Sequence, residues 1–290
     1  MITRRSLIGA SMLIVPAFCS LRVFAESAET RLTQSLAELE RRHGGRLGVA
    51  IFDSANQRLI SHRGDERFAL CSTFKCLAAA HVLARVDRKE DDLARMVVYG
   101  KEQLVPYSPV TEKHAGEGGL SMGSICEAAV TLSDNTAGNL MLDSFGGPAG
   151  LTAWLRSLGD QVTRLDRREP ELNENRPDDL QDTTTPQAML ETLRTLVLGT
   201  ALSPPSRDQL IAWLVSNKTG DQRLRAGLPK DWRVGDKTGS GSNNASNDVA
   251  VIWPSTRPPL IATVYYTHAK ASAEQINAVI AEVGRLVATV

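Results

Sequence analysis

The chain has 290 residues, of which 42% are hydrophobic and 23% are charged, so it is long enough for one large or two small globular domains and is not disordered. Its 33 basic and 33 acidic residues give a formal charge of zero, and no basic stripe indicates nucleic-acid binding. The five histidines are scattered without H-x-H or H-E-x-x-H spacing, which disfavours a zinc hydrolase and predicts no metal site.

The first 25 residues are typical of a signal peptide. Arg4 and Arg5 precede a largely apolar stretch (residues 7–18), and Val23-Phe24-Ala25 resembles a cleavage site. The stretch is too short to span a bilayer, so we expect a secreted, periplasmic product without membrane contact. The arginine pair fits twin-arginine export and an ordinary basic leader equally well. Cleavage would leave 30 basic and 33 acidic residues, a formal charge of −3.

The predicted mature chain keeps three cysteines, Cys71, Cys76 and Cys126. An odd number allows at most one internal disulfide even in an oxidising compartment. Small buried thiols are the simplest interpretation.

The predicted elements place strands at both ends of the chain and helices between them. Residues 30–42 have the pattern of an amphipathic helix, and strands at 46–52 and 58–61 follow. The middle is mostly helical, the far end adds strands at 248–253 and 260–267, and a last helix carries apolar residues from Ile276 to Val287. The predicted middle helices are 72–85, 121–132, 150–158, 186–198 and 206–217.

This order of elements predicts an α/β (α+β) fold in which both chain ends build one sheet and an all-helical lobe is inserted between them. We expect a single catalytic domain (26–290), with an α/β lobe formed by about 26–63 and 216–290 and a helical lobe of about 64–215. A cleft would then run along the seam between the lobes, where binding sites commonly lie.

The first chemical motif is Ser72-Thr73-Phe74-Lys75. Positions i and i+3 share one face of a helix, so Lys75 can reach the Ser72 hydroxyl and help to activate it as a nucleophile. Backbone N–H groups at a helix N-terminus can also support an oxyanion. Alone, this motif is equally compatible with a serine near a helix start and a surface lysine.

The second motif is Ser133-Asp134-Asn135, between two helical stretches. Ser133 could relay a proton to a leaving nitrogen and Asn135 could hold a substrate amide. All three residue types are also good N-caps, and by itself the tripeptide favours that structural role.

The third motif, Lys-Thr-Gly, occurs twice. The copy at 218–220 is interpreted as structural, closing a helix with Gly220 as the C′ residue. The copy Lys237-Thr238-Gly239 follows a strand-like segment and leads into Ser240. An edge strand here could offer a charge, a hydroxyl and a backbone N–H to a bound carboxylate and carbonyl.

Together, S-x-x-K, S-D-N and K-T-G in this order resemble the signature of serine β-lactamases and penicillin-binding proteins. Longer stretches extend the resemblance to class A β-lactamases from about residue 30 to the C-terminus. These stretches are 66–68, 107–111, 182–186 and 234–240. The resemblance implies hydrolysis of penicillins and cephalosporins, which confers antibiotic resistance, by a monomer that needs no cofactor, only its β-lactam and one catalytic water.

The loop Arg167–Asn173 resembles the Ω-loop of class A enzymes, and the resemblance implies that Glu169 and Asn173 hold the deacylating water. It also implies a Ser72 acyl-enzyme, proton transfer by Lys75 and Ser133, and an oxyanion site at the Ser72 and Ser240 N–H groups. Either Lys75 or Glu169 could be the base in acylation. Tyr107, Asn135, Thr238 and Gly239 are the other implied substrate contacts.

Two alternatives share most of these motifs: a penicillin-binding D,D-peptidase, and a non-hydrolytic β-lactam-binding domain. The Glu169–Asn173 segment disfavours the first, and the intact set of motif residues disfavours the second.

The resemblance carries three further expectations. Arg167 and Asp182 should form an ion pair across the neck of the Ω-loop. Cys71 should have no disulfide to the strand after Lys237, because Gly241 occupies the position of the partner found in some carbapenem-hydrolysing relatives.

The third expectation concerns the substrate carboxylate, which needs a second cation beside Lys237. Arg223 should supply it, since Ser246 stands where many relatives have an arginine. Arg225 is the alternative, and both arginines could instead lie in surface ion pairs.

Overall fold

A computed structural model describes residues 28–290, so the leader predicted at residues 1–25 lies outside the described residues. The α-helices of the described range are α1 (Ala28–His43), α2 (Phe74–Asp87), α3 (Met122–Thr131), α4 (Asn135–Asp143), α5 (Gly147–Ser157), α6 (Pro186–Val197), α7 (Pro204–Val215), α8 (Leu224–Gly227) and α9 (Ala273–Val287). The strands are β1 (Arg46–Asp53), β2 (Arg58–His62), β3 (Phe68–Ala69), β4 (Met96–Val97), β5 (Leu120–Ser121), β6 (Thr183–Thr184), β7 (Arg233–Gly241), β8 (Ala245–Trp253) and β9 (Leu260–Thr267).

The main sheet is antiparallel and has the order β2-β1-β9-β8-β7. It joins strands from both ends of the chain, which confirms the predicted fold class. Helices cover both of its faces: α1 and α9 pack on one, and α6 and α7 on the other. Burial on both faces explains why β9 is apolar almost without interruption. The edge strand β7 carries the predicted Lys237-Thr238-Gly239 motif.

The segment between β2 and β7 is mostly helical, as predicted, and adds two pairs of two-residue strands, β3 with β6 and β4 with β5. The first pair aligns Phe68 with Thr184 and Ala69 with Thr183. It therefore ties the chain just before Ser72 to the end of the Ω-loop, which in the structure runs from Arg167 to Asp182. Pairs this short have no periodic pattern, so the sequence does not predict them.

The predicted end of α7 needs correction. This helix ends at Val215, with Ser216 as its C-cap, so Gly220 is not the C′ residue. The Asn217 amide instead donates a 2.6 Å hydrogen bond to Asp236 Oδ2 on β7. This contact holds the chain after α7 against the edge strand β7, next to the start of the Lys-Thr-Gly copy at 237–239.

A buried histidine lies on α2. The His81 ring stacks on Trp154 with ring centroids 4.6 Å apart, and the tilted Phe145 ring has its centroid 4.3 Å from that of His81. Its Nδ1 atom has no hydrogen-bond partner among residues 28–290. Burial, reinforced by the nearby positive charge of Arg85 and Arg88, lowers the pKa of His81 to about 4.

This environment predicts acid sensitivity of the fold. The unfolded chain takes up a proton on His81 near its ordinary pKa of about 6.5, and the folded chain only near 4, so the free energy of unfolding should fall as pH drops through this window. The loss should reach about 3 kcal/mol at most. His81→Phe keeps the ring stack and should flatten the slope, measured by urea denaturation at several pH values. An unchanged slope in the variant would assign the acid sensitivity to other groups.

Candidate active site

Ser72 lies in a single 3₁₀ turn (Cys71–Thr73) that leads directly into α2, where a continuous α-helix from Ser72 was expected. The turn is entered through Cys71, whose φ of 45° lies in the left-handed region. Lys75 still reaches the nucleophile from the same side, with its Nζ donating to Ser72 Oγ at 3.0 Å. The predicted serine–lysine pair is therefore in contact.

The Lys75 ammonium is buried and surrounded by oxygen atoms. It donates to the Ser133 carbonyl at 2.8 Å and to Asn135 Oδ1 at 2.6 Å, and lies 2.9 Å from Glu169 Oε1. Burial lowers the pKa of Lys75, although the Glu169 carboxylate opposes this effect. A lowered pKa makes the Lys75 ammonium a readier proton donor, and its contact with Ser72 Oγ allows proton exchange with that hydroxyl.

The residues of the Ser133-Asp134-Asn135 motif make different kinds of contact. The Ser133 hydroxyl accepts a 3.0 Å hydrogen bond from Lys237 Nζ, and its φ of 59° turns the side chain out of the regular backbone path. Asp134 is the N-cap of α4 and accepts from the Ala137 N–H at 2.9 Å. The outer two residues therefore face the site, while the middle one fulfils the expected capping role.

The β7 edge approaches the nucleophile closely. A Cβ atom on Gly239 would lie 3.0 Å from the Leu70 carbonyl oxygen and 3.1 Å from Cys71 Cβ, so a larger residue would push the strand away. Lys237 on this strand is buried, and burial together with the nearby Lys75 charge lowers its pKa to about 7.

The first Lys-Thr-Gly copy, at residues 218–220, also contributes to the site, although the sequence predicted only a structural role for it. Thr219 Oγ1 lies 2.5 Å from Thr238 Oγ1, and Thr219 lines the cleft. The turn after α7 therefore contacts β7 beside the cleft, through the hydrogen bond between Thr219 and Thr238. Both threonines sit at the second position of a Lys-Thr-Gly tripeptide, which was the signal available in the sequence.

Glu169 is buried next to the nucleophile. Its Oε1 accepts from Ser72 Oγ at 3.0 Å, and its Oε2 accepts from Asn173 Nδ2 at 2.5 Å. Asn139 fixes the Glu169 backbone on both sides, accepting from its N–H at 3.0 Å and donating to its carbonyl at 2.9 Å. Sequence reasoning missed Asn139, although it lies four residues after Asn135 on the same face of α4.

The neck of the Ω-loop is closed by the predicted ion pair. Arg167 Nε lies 2.5 Å from Asp182 Oδ2, and Asp182 is fully buried. The other carboxylate oxygen accepts from the N–H groups of Asp166 and Arg167. The pair is therefore part of a hydrogen-bonded closure, and the expectation is confirmed.

These elements surround an open cleft of about 340 Å³, within the range of small-molecule sites. Tyr107 stands at its entrance with a φ of 63°. Lys75, Glu169 and Lys237 lie buried beneath. The lining residues are Ser72, Tyr107, Ser133, Asn135, Asn173, Thr219, Arg223, Thr238, Gly239 and Ser240.

Arg223 lies beside the Ser240 end of the cleft, whereas Arg225 turns away to the buried Asp236 carboxylate. Arg223 Nη1 donates to the Gly239 and Asn247 carbonyls at 2.8 and 2.6 Å, and Nη2 donates to Ser240 Oγ at 2.8 Å. These contacts leave one Nη2 proton for a ligand. Arg223 was expected to donate two hydrogen bonds to the substrate carboxylate. In the structure it can donate one, from the Nη2 atom beside the Ser240 hydroxyl.

The three cysteines of the described residues are free and buried, as expected. A Cβ atom on Gly241 would lie 2.7 Å from Cys71 Sγ. Gly241 therefore stands opposite Cys71, in the place where a bridging residue would be needed.

Within residues 28–290, no group of three or more His, Cys, Asp or Glu side chains is arranged to hold a metal ion. None of the helices in that range is both long and apolar enough to cross a membrane.

A serine in contact with a buried lysine and a carboxylate, with a second serine beside the same cleft, is the arrangement expected of an enzyme of serine-dependent acyl transfer. Comparison with known proteins then identifies the family. The model of the Beta-lactamase enzyme family matches residues 31–290. The chain is 45% identical to β-lactamase AER-1 of Aeromonas hydrophila, over 93% of this chain and 89% of that protein. It is 46% identical to β-lactamase FAR-1 of Nocardia farcinica, over 99% and 95%.

Solved structures agree. The ancestral (GNCA) class A β-lactamase is 65% identical, with a TM-score of 0.88 over 89% of this chain and 99% of that chain. The class A enzyme of the last common ancestor of Gram-negative bacteria (GNCA4) is 62% identical, with a TM-score of 0.87 over 89% and 98%. The chain belongs to the class A serine β-lactamase family, and it hydrolyses the β-lactam ring.

Proposed function

We propose that Ser72 opens the β-lactam ring of penicillins and cephalosporins through a covalent acyl-enzyme. Ser72 Oγ attacks the lactam carbonyl carbon, the lactam C–N bond breaks, and the leaving nitrogen takes up a proton through Ser133. The observation that carries this proposal is the contact of the Ser72 hydroxyl with Lys75 Nζ and Glu169 Oε1, each at 3.0 Å. Either group can accept the Ser72 proton in acylation.

Deacylation is assigned to Glu169 and Asn173. The Asn173 Oδ1 atom is buried and has no hydrogen-bond partner within residues 28–290, so it is an acceptor available to a water held beside the Glu169 carboxylate. Glu169 removes a proton from this water, which attacks the acyl ester, and Ser72 leaves with the proton restored. Asn139 holds the Glu169 backbone in place during both steps.

Substrate binding is assigned to the two sides of the cleft. The Ser72 and Ser240 backbone N–H groups would stabilise the oxyanion, and Asn135 and Tyr107 would contact the acylamino side of the substrate. Lys237, Thr238 and Arg223 would hold the carboxylate. Because Gly241 leaves Cys71 without a partner, carbapenems are expected to be poor substrates. Steady-state kinetics on a penicillin, a cephalosporin and a carbapenem test this ranking, and efficient carbapenem turnover would reject it.

The two arginines should have separable roles. Arg223→Ala should lower kcat/KM for a penicillin by about 10- to 100-fold, the cost of losing one charge-assisted hydrogen bond. Arg225→Ala leaves the buried Asp236 carboxylate without its ion pair and should lower the free energy of unfolding by about 3 kcal/mol. Kinetics and urea denaturation of both variants measure the two effects. A larger kinetic loss in the Arg225 variant would reverse the assignment.

We also propose that the enzyme is exported as a monomer after cleavage near Ala25 and acts in the periplasm, conferring resistance to β-lactams. The family match begins at residue 31, which supports a leader before it. N-terminal sequencing and sedimentation of the exported protein test both points.

A further inference from the structure

The Ω-loop is fastened to the active-site sheet at a point that the roles above do not use. We propose that Asn175, with Ser242 and Asn243 of the β7–β8 turn, forms a polar clasp that positions Asn173 and Glu169 for deacylation. Asn175 is thus inferred to be a positioning residue for the second half of the reaction, an inference that rests on the proposed deacylation by Glu169.

The clasp contains three hydrogen bonds between the backbone of the Ω-loop and the β7–β8 turn. One is made by the backbone of the turn and two by its side chains. The Ser242 N–H donates to the Asn173 carbonyl at 3.0 Å, and the Asn175 N–H donates to Ser242 Oγ at 2.8 Å. The Asn175 carbonyl in turn accepts from the Asn243 amide. The loop is therefore tied on both sides of Glu174, and one of the ties is made by Asn173, the residue whose amide contacts the Glu169 carboxylate.

The Asn175 side chain anchors the clasp in the sheet. Only 8% of Asn175 is exposed, and its Nδ2 donates to Thr267 Oγ1 at 2.5 Å at the end of β9. Thr267 Oγ1 also donates to the Asn243 carbonyl at 3.2 Å, which fixes the turn from the other side. A buried amide bonded to a strand of the central sheet is a rigid attachment point for a loop.

The Ω-loop and the end of β7 are closely packed. A Cβ atom on Gly241 would lie only 2.6 Å from the Asn173 carbonyl oxygen, so the loop and the strand are packed against each other. The groups that can carry out acylation without Glu169 stand on other elements: Ser72 and Lys75 on the 3₁₀ turn and α2, Ser133 before α4, and Lys237 on β7. Loosening the clasp should therefore displace the Asn173 amide from Glu169 while leaving acylation intact.

The test separates the two rates. Single-turnover mixing with a penicillin, followed by quenching and intact-protein mass spectrometry, gives the rates at which the adduct forms and decays. Asn175→Ala should slow adduct decay about tenfold and change adduct formation by less than about twofold. If the substitution only lowered the fraction of folded protein, the amount of adduct formed would fall and the rate of its decay would not change.

The turn offers a matched pair of control variants. Asn243 and Asn244 both have positive φ, at 53° and 55°, so glycine fits either position. Asn243→Gly removes a clasp hydrogen bond and should slow decay, whereas Asn244 donates to Ala269 and Ala271 carbonyls outside the clasp, and Asn244→Gly should not.

The outcomes distinguish this inference from the proposed function. If Glu169→Ala deacylates normally, the assignment of Glu169 fails and the inference fails with it. If Glu169→Ala retains its adduct but Asn175→Ala releases it at the wild-type rate, only the clasp is rejected. Equal effects of the Asn243 and Asn244 variants would also reject it.

Discussion

Replacing Ser72 by alanine should abolish β-lactam turnover, with a loss of the order of 10⁶-fold in kcat, as for removal of the nucleophile from other serine hydrolases. No other hydroxyl occupies its position: Ser133 is engaged by Lys237, and its own carbonyl accepts from Lys75. Without Ser72 Oγ there is no atom on which the acyl group can be held next to Glu169. A chromogenic cephalosporin measures the residual rate.

The Ser72 variant should keep its fold, because the hydroxyl contacts only Lys75 and Glu169, and these remain in contact with each other at 2.9 Å. An unchanged thermal transition is the control. Hydrolysis near the wild-type rate by a folded variant would show that the nucleophile lies elsewhere.

Glu169→Ala should lower kcat by about 10³-fold, within the range that a general base contributes, and the loss should fall on deacylation. Acylation should continue at least in part, because Lys75 with its lowered pKa remains beside Ser72. Stopped-flow kinetics should then show a burst of one equivalent followed by very slow turnover.

Glu171→Ala is the matched control, since Glu171 is an exposed carboxylate two residues away in the same loop. It should behave like the wild type. A Glu169 variant without a burst, in which formation of the adduct is lost as well, would mean that Glu169 is indispensable in acylation too.

The motif residues were predictable because their spacing is local or their order is distinctive. Ser72 and Lys75 share a helix face whether the first turn is 3₁₀ or α, so the small error in the start of α2 did not matter. The bounds of β9 and the ion pair of Arg167 with Asp182 were predicted for similar reasons: a clear apolar run, and a match of family positions.

Other features depend on contacts between distant segments, which no local pattern records. Asn139 fastens the Glu169 backbone across 30 positions, and Thr219 supports Thr238 across 19. Arg223 is a further example. Its residue type predicted a guanidinium free to donate two hydrogen bonds to a substrate, but in the structure all three of its nitrogen atoms donate to protein acceptors. Strand pairs of two residues belong to the same class.

The most direct measurement is intact-protein mass spectrometry with peptide mapping, after Glu169→Ala is mixed with a penicillin. The account predicts one persistent adduct with the full mass of the substrate, located on Ser72, and no adduct when Ser72→Ala is combined with Glu169→Ala. In the wild-type protein the adduct should disappear once the substrate is consumed. An adduct on another residue, or retention by the protein that lacks Ser72, would contradict the acyl-enzyme assigned to this site.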